Sequence, residues 1–231
     1  MVVATQTTVS GRGNMHVVSR LHHGHLMTMP PILRCLALLL CLCAVHPLWA
    51  QEPPRVVEGQ AFAKRAMVGG TELQLNGTGV RSVAWFKGYA AGLYLSQRST
   101  TLPQVLAARG PKRLELRMLQ DVPAAEFVKA FNKGVERNTA AADTAALQPM
   151  MRRFADLISQ TGTVHKADVI DLDLDPTRGM LFSVNGTLRG DVAAGQDLFN
   201  ALLRAFMGDQ PYDEKLKAGL LAGLARSQTA P

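Results

Sequence analysis

The chain has 231 residues, of which 47% are hydrophobic, 19% charged and 6% aromatic. This composition is ordinary for a globular protein and argues against a disordered chain, a collagen and a disulfide-stapled miniprotein. The formal charge is +7, but residues 1–50 hold three arginines and no acid, so the segment from Gln51 onward carries only +4. The basic balance is therefore weak support for nucleic-acid binding, and we expect none.

The first 50 residues have the pattern of an export signal. Arg34 precedes an apolar run from Cys35 to Val45, and Ala50 stands directly before Gln51. Eleven apolar residues are too few to cross a hydrocarbon core of about 30 Å, which needs about 20. The pattern predicts a cleaved signal peptide and no stable membrane span afterwards, with an uncleaved anchor as the alternative.

Cleavage at this point removes all three cysteines and leaves 181 residues without a thiol. Met1, Met27 and Met29 can each serve as the start, and the two later methionines give a signal of more usual length. After the leader at 1–50 we expect an extended segment at 51–66, one domain at 67–226 and a tail at 227–231.

The first part of the domain is predicted to be mainly β-structure. Stretches that alternate or are rich in β-branched and aromatic residues predict strands at Thr71–Leu75, Val80–Phe86, Tyr89–Leu95 and Lys112–Leu119. The sequence Asn76-Gly77-Thr78-Gly79 is a turn signal. Lys87-Gly88 fits either a tight turn or a continuous strand. A short helix is expected at Leu102–Arg109, which Gly110-Pro111 closes.

The second part alternates blocks of helix and strand. Apolar stripes predict helices at Pro123–Thr139, Ala145–Thr161, Gly195–Met207 and Asp213–Leu224. Between the second and third helices, the segments Asp168–Asp175 and Met180–Val184 predict a hairpin. Because strands and helices come in blocks without βαβ repetition, we expect an α+β fold with a mainly antiparallel sheet.

Several kinds of chemistry are excluded or disfavoured. His165 is the only histidine after the leader, so a Cys–His dyad and a cysteine-rich zinc site are excluded in the exported chain. We interpret His165 as an exposed loop residue. Asp171, Asp173 and Asp175 alternate with leucines, which is typical of the solvated face of an antiparallel strand and does not match a calcium loop. We expect neither a metal nor a cofactor.

Two separated blocks of the sequence resemble the chalcone isomerase-like family. The first block runs Leu75-Asn-Gly-Thr-Gly-Val-Arg81 and then Trp85-Phe-Lys-Gly-Tyr-Ala-Ala-Gly-Leu-Tyr-Leu95. The second comprises Gly186-Thr-Leu-Arg-Gly190, Phe199-Asn-Ala-Leu-Leu203, Gly208-Asp-Gln-Pro-Tyr212 and Leu216. The resemblance covers roughly residues 60–224. It implies an antiparallel sheet with helices over one face, a ligand cleft between them, and an exported bacterial branch, hence a periplasmic location.

The resemblance also implies two ligand-binding residues. Arg81 matches an arginine that plant chalcone isomerases share with plant fatty-acid-binding proteins of the same fold. Tyr89 matches the tyrosine of the fatty-acid binders, whereas the isomerases have a threonine there. The isomerases take a further asparagine from the helical region, where Asn132 and Asn138 lie, but neither aligns clearly.

The physical chemistry of Arg81 agrees with a binding role. A guanidinium in an apolar cleft needs an anionic partner, and its planar fork together with a phenol hydroxyl suits a carboxylate. The alternative is an exposed strand arginine, or one paired structurally with Glu72 or an aspartate.

Three functions follow from these residues, in order of preference. The first is a non-enzymatic periplasmic binder of a fatty acid or similar apolar carboxylate. The second is a chalcone isomerase-like intramolecular lyase, with Arg81 as the catalytic group that stabilises a phenolate. The third is a protein-interaction module. The sequence predicts no particular protein partner and no oligomeric state.

Overall fold

The computed structural model describes residues 52–83 and 86–224, so the predicted leader and tail lie outside the described residues. The strands are β1 (Arg55–Val57), β2 (Gln60–Phe62), β3 (Arg65–Val68), β4 (Thr71–Val83), β5 (Phe86–Leu95), β6 (Lys112–Met118), β7 (Val122–Pro123), β8 (Thr163–Val164), β9 (Val169–Asp175), β10 (Gly179–Val184) and β11 (Thr187–Val192). The helices are α1 (Leu102–Ala107), α2 (Ala124–Asn138), α3 (Ala141–Ser159), α4 (Gln196–Met207) and α5 (Glu214–Leu220).

Seven strands form one sheet in the order β11-β10-β9-β6-β5-β4-β3, and every neighbouring pair is antiparallel. Two further two-stranded ladders join β1 to β2 and β7 to β8. The predicted α+β class with a mainly antiparallel sheet is confirmed. Among the described residues, none of the helices is long and apolar enough to cross a membrane.

The predicted turn at residues 76–79 is wrong, because β4 continues through it as a 13-residue strand. Asn76 is fully buried, and its side-chain amide donates to the carbonyl oxygens of Ser99 and Leu220. Its side-chain oxygen accepts the N–H of Ser99. A register shift between Leu75 and Gly77 accommodates this inward-facing asparagine. Long-range hydrogen bonds therefore override the local preference of an Asn-Gly pair for a turn.

The glycines of the same segment allow a helix to pack closely against the strand. A Cβ at Gly77 would overlap the carbonyl oxygens of Gly219 and Leu220, and one at Gly79 would lie 2.7 Å from the carbonyl oxygen of Leu216. All three contacts are with the backbone of α5. The two glycines thus let α5 lie directly on β4, at a distance that any larger residue would prevent.

Lys87-Gly88 continues a strand, since β5 begins at Phe86 and includes both residues. The predicted helices are present with shifted ends. The largest shifts are of four residues: α5 ends at Leu220, before the predicted end, and α3 begins at Ala141, before the predicted start. The alanine-rich stretch 140–146 lacks an apolar stripe, but alanine has the highest helix propensity and extends the helix without one.

One face of the sheet, here called the helix face, carries Leu93, Leu114 and Leu172 and is covered by the helices. All three leucines are buried in the main core together with residues of α2, α3 and α4. Phe154 of α3 makes edge-to-face contacts with Phe131 at 5.0 Å and Phe182 at 5.7 Å between ring centroids. This aromatic cluster joins two helices to β10.

The opposite face, here called the back face, is covered by β1, β2 and β3. Phe62 of β2 is fully buried there, and β3 reaches over to contact β6 and β9. Gly69, in the turn after β3, lies so close to Asp175 that a Cβ would be 2.8 Å from the carboxylate Oδ2. The sheet therefore curls, and its first strands cover the outer side of its middle strands.

This curl overturns the expectation that Asp171, Asp173 and Asp175 form a solvated strand face. Their exposed fractions are 9%, 6% and 6%. Arg113 of β6 stands opposite Asp173 and donates two hydrogen bonds of 2.6 Å to its carboxylate. The third nitrogen of the Arg113 guanidinium, Nη1, lies 3.7 Å from the carboxylate of Asp171. Arg113 thus pairs with two carboxylates of the neighbouring strand β9.

Candidate functional site

A cavity of about 100 Å³, here called the inner cavity, lies between the helix face and the helices. Its lining is almost entirely apolar and aromatic, and comes from both the sheet and α2, α3 and α4. The polar groups that reach it belong to Arg81, Tyr89 and Tyr212. The remaining lining residues are Leu116, Phe127, Ala130, Phe131, Phe154, Ile158, Val164, Ile170, Leu172, Phe182, Leu202 and Phe206.

Arg81 and Tyr89, the two residues implied by the resemblance, stand opposite each other on β4 and β5. The Arg81 guanidinium donates one hydrogen bond of 3.1 Å to the carbonyl oxygen of Ser82. Among residues 52–83 and 86–224, no carboxylate lies within ion-pair distance of it. The alternative pairing with Glu72 is not formed, since Glu72 binds Arg65 at 2.6 Å.

Tyr89 packs its ring against Phe206, with 6.3 Å between ring centroids. Burial raises the pKa of the Tyr89 hydroxyl, the nearby Tyr212 raises it further, and the positive charge of Arg81 opposes the shift. The hydroxyl is therefore protonated at neutral pH. Within the described residues it makes no hydrogen bond to the protein, so it is free to donate one into the cavity.

Tyr212 is a cavity residue for which the sequence predicted no role, although it closes the Gly208–Tyr212 motif. Its hydroxyl donates a 3.0 Å hydrogen bond to the carbonyl oxygen of Ala130 in α2. Its ring lies 5.8 Å from the guanidinium carbon of Arg81 and 5.0 Å from the ring of Phe206, edge to face. A guanidinium at this distance from an aromatic face is stabilised by the ring quadrupole.

Gly134 of α2 leaves the space that Tyr212 occupies, because a Cβ there would overlap the tyrosine ring. Asn138, one turn later, donates hydrogen bonds to the carbonyl oxygens of Gly134 and Gln210 and accepts the N–H of Gln210. It thereby holds the loop that carries Tyr212. Neither Asn138 nor Asn132 lines the inner cavity.

Asp213 directly follows Tyr212 in the sequence, and its oxygens are already engaged. They accept the backbone N–H groups of Ser82, Lys215 and Leu216 at 2.8–3.1 Å. Burial tends to raise the pKa of Asp213, but these three hydrogen bonds and Arg81 together lower it below the usual value. Asp213 is therefore charged, caps α5, and offsets part of the positive charge of Arg81 without forming an ion pair with it.

A second apolar space, here called the outer pocket, has a volume of about 120 Å³. It shares Arg81, Tyr89, Phe127 and Ala130 with the inner cavity. The other lining residues are Phe86, Gly88, Val122 and Glu126. Arg81 thus stands where the two spaces meet, and Phe127 of α2 forms part of the wall of both.

A larger groove of about 590 Å³, here called the polar groove, lies beside the connection between α2 and α3. Asp143, Asp197 and Arg204 line it, as do Thr139 and Asn200. The Thr139 hydroxyl and the Asn200 side-chain oxygen are buried without a hydrogen-bond partner in the described part of the protein. This lining suits water or a polar molecule and is unlike that of the inner cavity.

Other candidates from the sequence do not form a site. His165 is largely exposed and lies 3.4 Å from the carboxylate of the equally exposed Asp121. Across the part of the chain that the structure describes, no group of three or more histidine, cysteine, aspartate or glutamate side chains is arranged to hold a metal ion.

The curled antiparallel sheet with helices on one face is the architecture of a known family. The model of the chalcone isomerase-like family matches residues 54–222, so the chain belongs to that family. Among solved structures, the chain is similar to the crystal structure of an Arabidopsis thaliana fatty-acid binding protein, with a TM-score of 0.59 and 18% sequence identity over 72% of this chain and 95% of that chain. At this identity the likeness shows a shared fold. The comparison with curated proteins gives no match.

Proposed function

We propose that the protein is a non-enzymatic binder of an apolar carboxylate, with the carboxylate paired to Arg81 and the apolar part in the inner cavity. The observation that carries this proposal is the unmatched guanidinium at an apolar cavity. Arg81 is half-buried, and a charge that is partly withdrawn from water without an anionic partner is stabilised when an anion binds to it. Asp213 does not fill this role, because three backbone N–H groups already occupy its oxygens.

The donors near Arg81 match a carboxylate. The guanidinium fork can donate two parallel hydrogen bonds, and the protonated hydroxyl of Tyr89 can donate a third. Tyr212 stabilises the guanidinium through its ring and is held in place by Ala130. The fatty-acid binding protein with the same fold supports a ligand of this chemical class.

Two observations favour binding over ring closure of a chalcone. A chalcone carries two aromatic rings, whereas a cavity of about 150 Å³ holds one benzene molecule, and the inner cavity has about 100 Å³. By the sequence resemblance, Tyr89 also matches the position at which the isomerases carry a threonine. We therefore expect the purified protein to cyclise a chalcone no faster than the spontaneous reaction.

The binding proposal is tested by titration calorimetry with hexanoate. Arg81→Ala should weaken binding by roughly 10- to 150-fold, because a hydrogen bond to a charged group contributes about 1.5–3 kcal/mol. Arg81→Lys should restore only part of the affinity, since the fork is lost. Tyr89→Phe removes one hydroxyl and should cost less than Arg81→Ala. Arg98→Ala, at an exposed arginine away from both spaces, is the matched control. Equal affinity for the wild type and Arg81→Ala would contradict the proposal.

We also propose that the protein works in the bacterial periplasm after cleavage before Gln51. The support is the short apolar run from Cys35 to Val45, which lies shortly before Ala50. The intact mass of the protein from a periplasmic extract should correspond to a chain that begins at Gln51 and has no cysteine. A product found in the membrane fraction with Cys35, Cys41 and Cys43 retained would show an anchor instead.

A further inference from the structure

The far end of the inner cavity is closed by aromatic rings. Arg81 lies on β4, and Phe182 lies on β10, four places away in the strand order. Phe154 meets Phe182 edge to face at 5.7 Å and Phe131 at 5.0 Å. Phe154 and Phe182 are each only 2% exposed. A ligand whose carboxylate binds Arg81 therefore meets a closed wall at the end of its apolar part.

The space between Arg81 and this wall is small. Leu116, Ile170 and Leu172 of the intervening strands project into the same layer and line the cavity along its length. The resulting volume of about 100 Å³ is less than the roughly 150 Å³ that accommodates benzene, and well below the roughly 300–1,000 Å³ of pockets for drug-sized molecules. The cavity thus has room for an apolar group of roughly six carbons or fewer.

We infer that the ligand is a short or compact carboxylate, of the size of hexanoate, and that Phe154 sets the upper limit on its length. This inference rests on the proposed function, because it assumes that the carboxylate binds Arg81. A long-chain fatty acid would have to displace the rings of Phe131, Phe154 and Phe182 from close edge-to-face contacts. Displacing packed core side chains is costly, so each carbon beyond the limit adds no net affinity.

Substitution of Phe154 should change the maximum length of ligand that the cavity accepts. Replacing its ring by a smaller side chain enlarges the cavity at the end away from Arg81 and leaves the carboxylate-binding groups in place. Phe199 of α4 is equally buried but does not line the cavity. Phe154→Leu and Phe199→Leu therefore form a matched pair, in which the same loss of volume occurs inside and outside the site.

The experiment is a calorimetric series with butanoate, hexanoate, octanoate, dodecanoate and hexadecanoate, each below its aggregation concentration. In the wild type, affinity should rise about fourfold per added methylene up to hexanoate and gain nothing beyond octanoate. Phe154→Leu should extend the rise by one or two carbons, whereas Phe199→Leu should keep the wild-type limit. If a variant does not fold, the wild-type series alone measures the chain length beyond which affinity no longer rises.

Each other outcome overturns a stated part of the account. A wild-type affinity that keeps rising to hexadecanoate, with Arg81→Ala weakening every acid, overturns the length limit and leaves the proposed function standing. An equal change in Phe154→Leu and Phe199→Leu overturns the role of Phe154. If the wild type binds none of the five acids, the proposed function fails and the length limit fails with it.

Discussion

Two arginines on opposite faces of the same sheet, Arg113 and Arg81, have contrasting surroundings. On the back face, Arg113 binds Asp173 through two hydrogen bonds of 2.6 Å and has Asp171 at 3.7 Å. On the helix face, Arg81 donates a single hydrogen bond to a carbonyl oxygen and lies above the ring of Tyr212. Among the described residues it has no carboxylate partner.

This difference separates a charge that is paired within the protein from one to which we assign a ligand. On the back face, the charge of Arg113 is paired within the protein, across the neighbouring strands β6 and β9. Under the proposed function, the charge of Arg81 is paired when the carboxylate of the ligand binds. A buried ion pair need not add net stability. Removing one partner is nevertheless destabilising, because the desolvation of the remaining charge is no longer compensated. The consequences of substitution should therefore differ between the two faces.

The largest effect is expected for Arg113→Met, which keeps much of the side-chain volume and removes the charge. Asp171 and Asp173 then lose their cation beneath β1–β3, and the free energy of unfolding should fall by about 3–5 kcal/mol. Urea denaturation measures this change. The control is Arg65→Met, at an exposed pair with Glu72, where a loss of at most about 1 kcal/mol is expected. Similar losses at both positions would remove the contrast between buried and exposed pairs.

The next substitution, at Asp171, should raise the free energy of unfolding, by an amount that depends on pH. Burial raises the pKa of Asp171 from 3.8 to about 6, and the neighbouring Arg113 opposes the shift without cancelling it. One oxygen of Asp171 has no hydrogen-bond partner in the described part of the chain. Between about pH 4 and pH 6 the folded protein binds more protons at this residue than the unfolded chain does. The contribution of Asp171 to stability therefore falls as the pH rises through this window, and the loss is complete above it.

Asp171→Asn removes this penalty. At pH 7.5 the variant should be more stable than the wild type by up to about 3 kcal/mol, the equivalent of a shift of about two pH units. At pH 4 the two proteins should have nearly equal free energies of unfolding. Urea denaturation at the two pH values gives the comparison. A variant that is less stable than the wild type at pH 7.5 would show that the charged form of Asp171 stabilises the back face.

A smaller effect is expected on the helix face from Gly134→Ala. The added Cβ overlaps the ring of Tyr212, so it should destabilise the fold by roughly 1–3 kcal/mol and weaken hexanoate binding by moving the ring away from Arg81. In a Tyr212→Ala background the same substitution should instead stabilise α2 by up to about 1 kcal/mol, because alanine is the better helix former. The absence of this reversal would mean that Gly134 does not act through Tyr212.

The helix face was largely predictable from sequence, and the back face was not. The apolar stripes of α2, α3 and α4 identify the helices locally, and Arg81 and Tyr89 fall in a block of sequence that resembles the family. The buried state of Asp171 depends on Arg113, more than fifty residues earlier, and on a curl that brings β3 over β9. An alternating strand has the same sequence pattern whether its polar face meets water or other charges.

Two further failures have the same cause. The Asn76-Gly77 pair has the local signature of a turn, yet Asn76 binds Leu220, which lies 144 residues later in the chain. Tyr212 reads as part of a loop motif, and only its contacts with Ala130 and Gly134 show that it lines the cavity. In each case the decisive partner is distant in sequence, and local propensity carries no information about it.

The most direct test of the unmatched charge at Arg81 is a crystal structure of the protein with hexanoate bound. We predict both carboxylate oxygens at about 2.7–2.9 Å from the Arg81 guanidinium, with the alkyl chain in the inner cavity and pointing towards Phe154. Hexanoate bound in the polar groove between Asp143 and Arg204, with the inner cavity free of it, would contradict the account. So would a chain in the inner cavity whose carboxylate points away from Arg81.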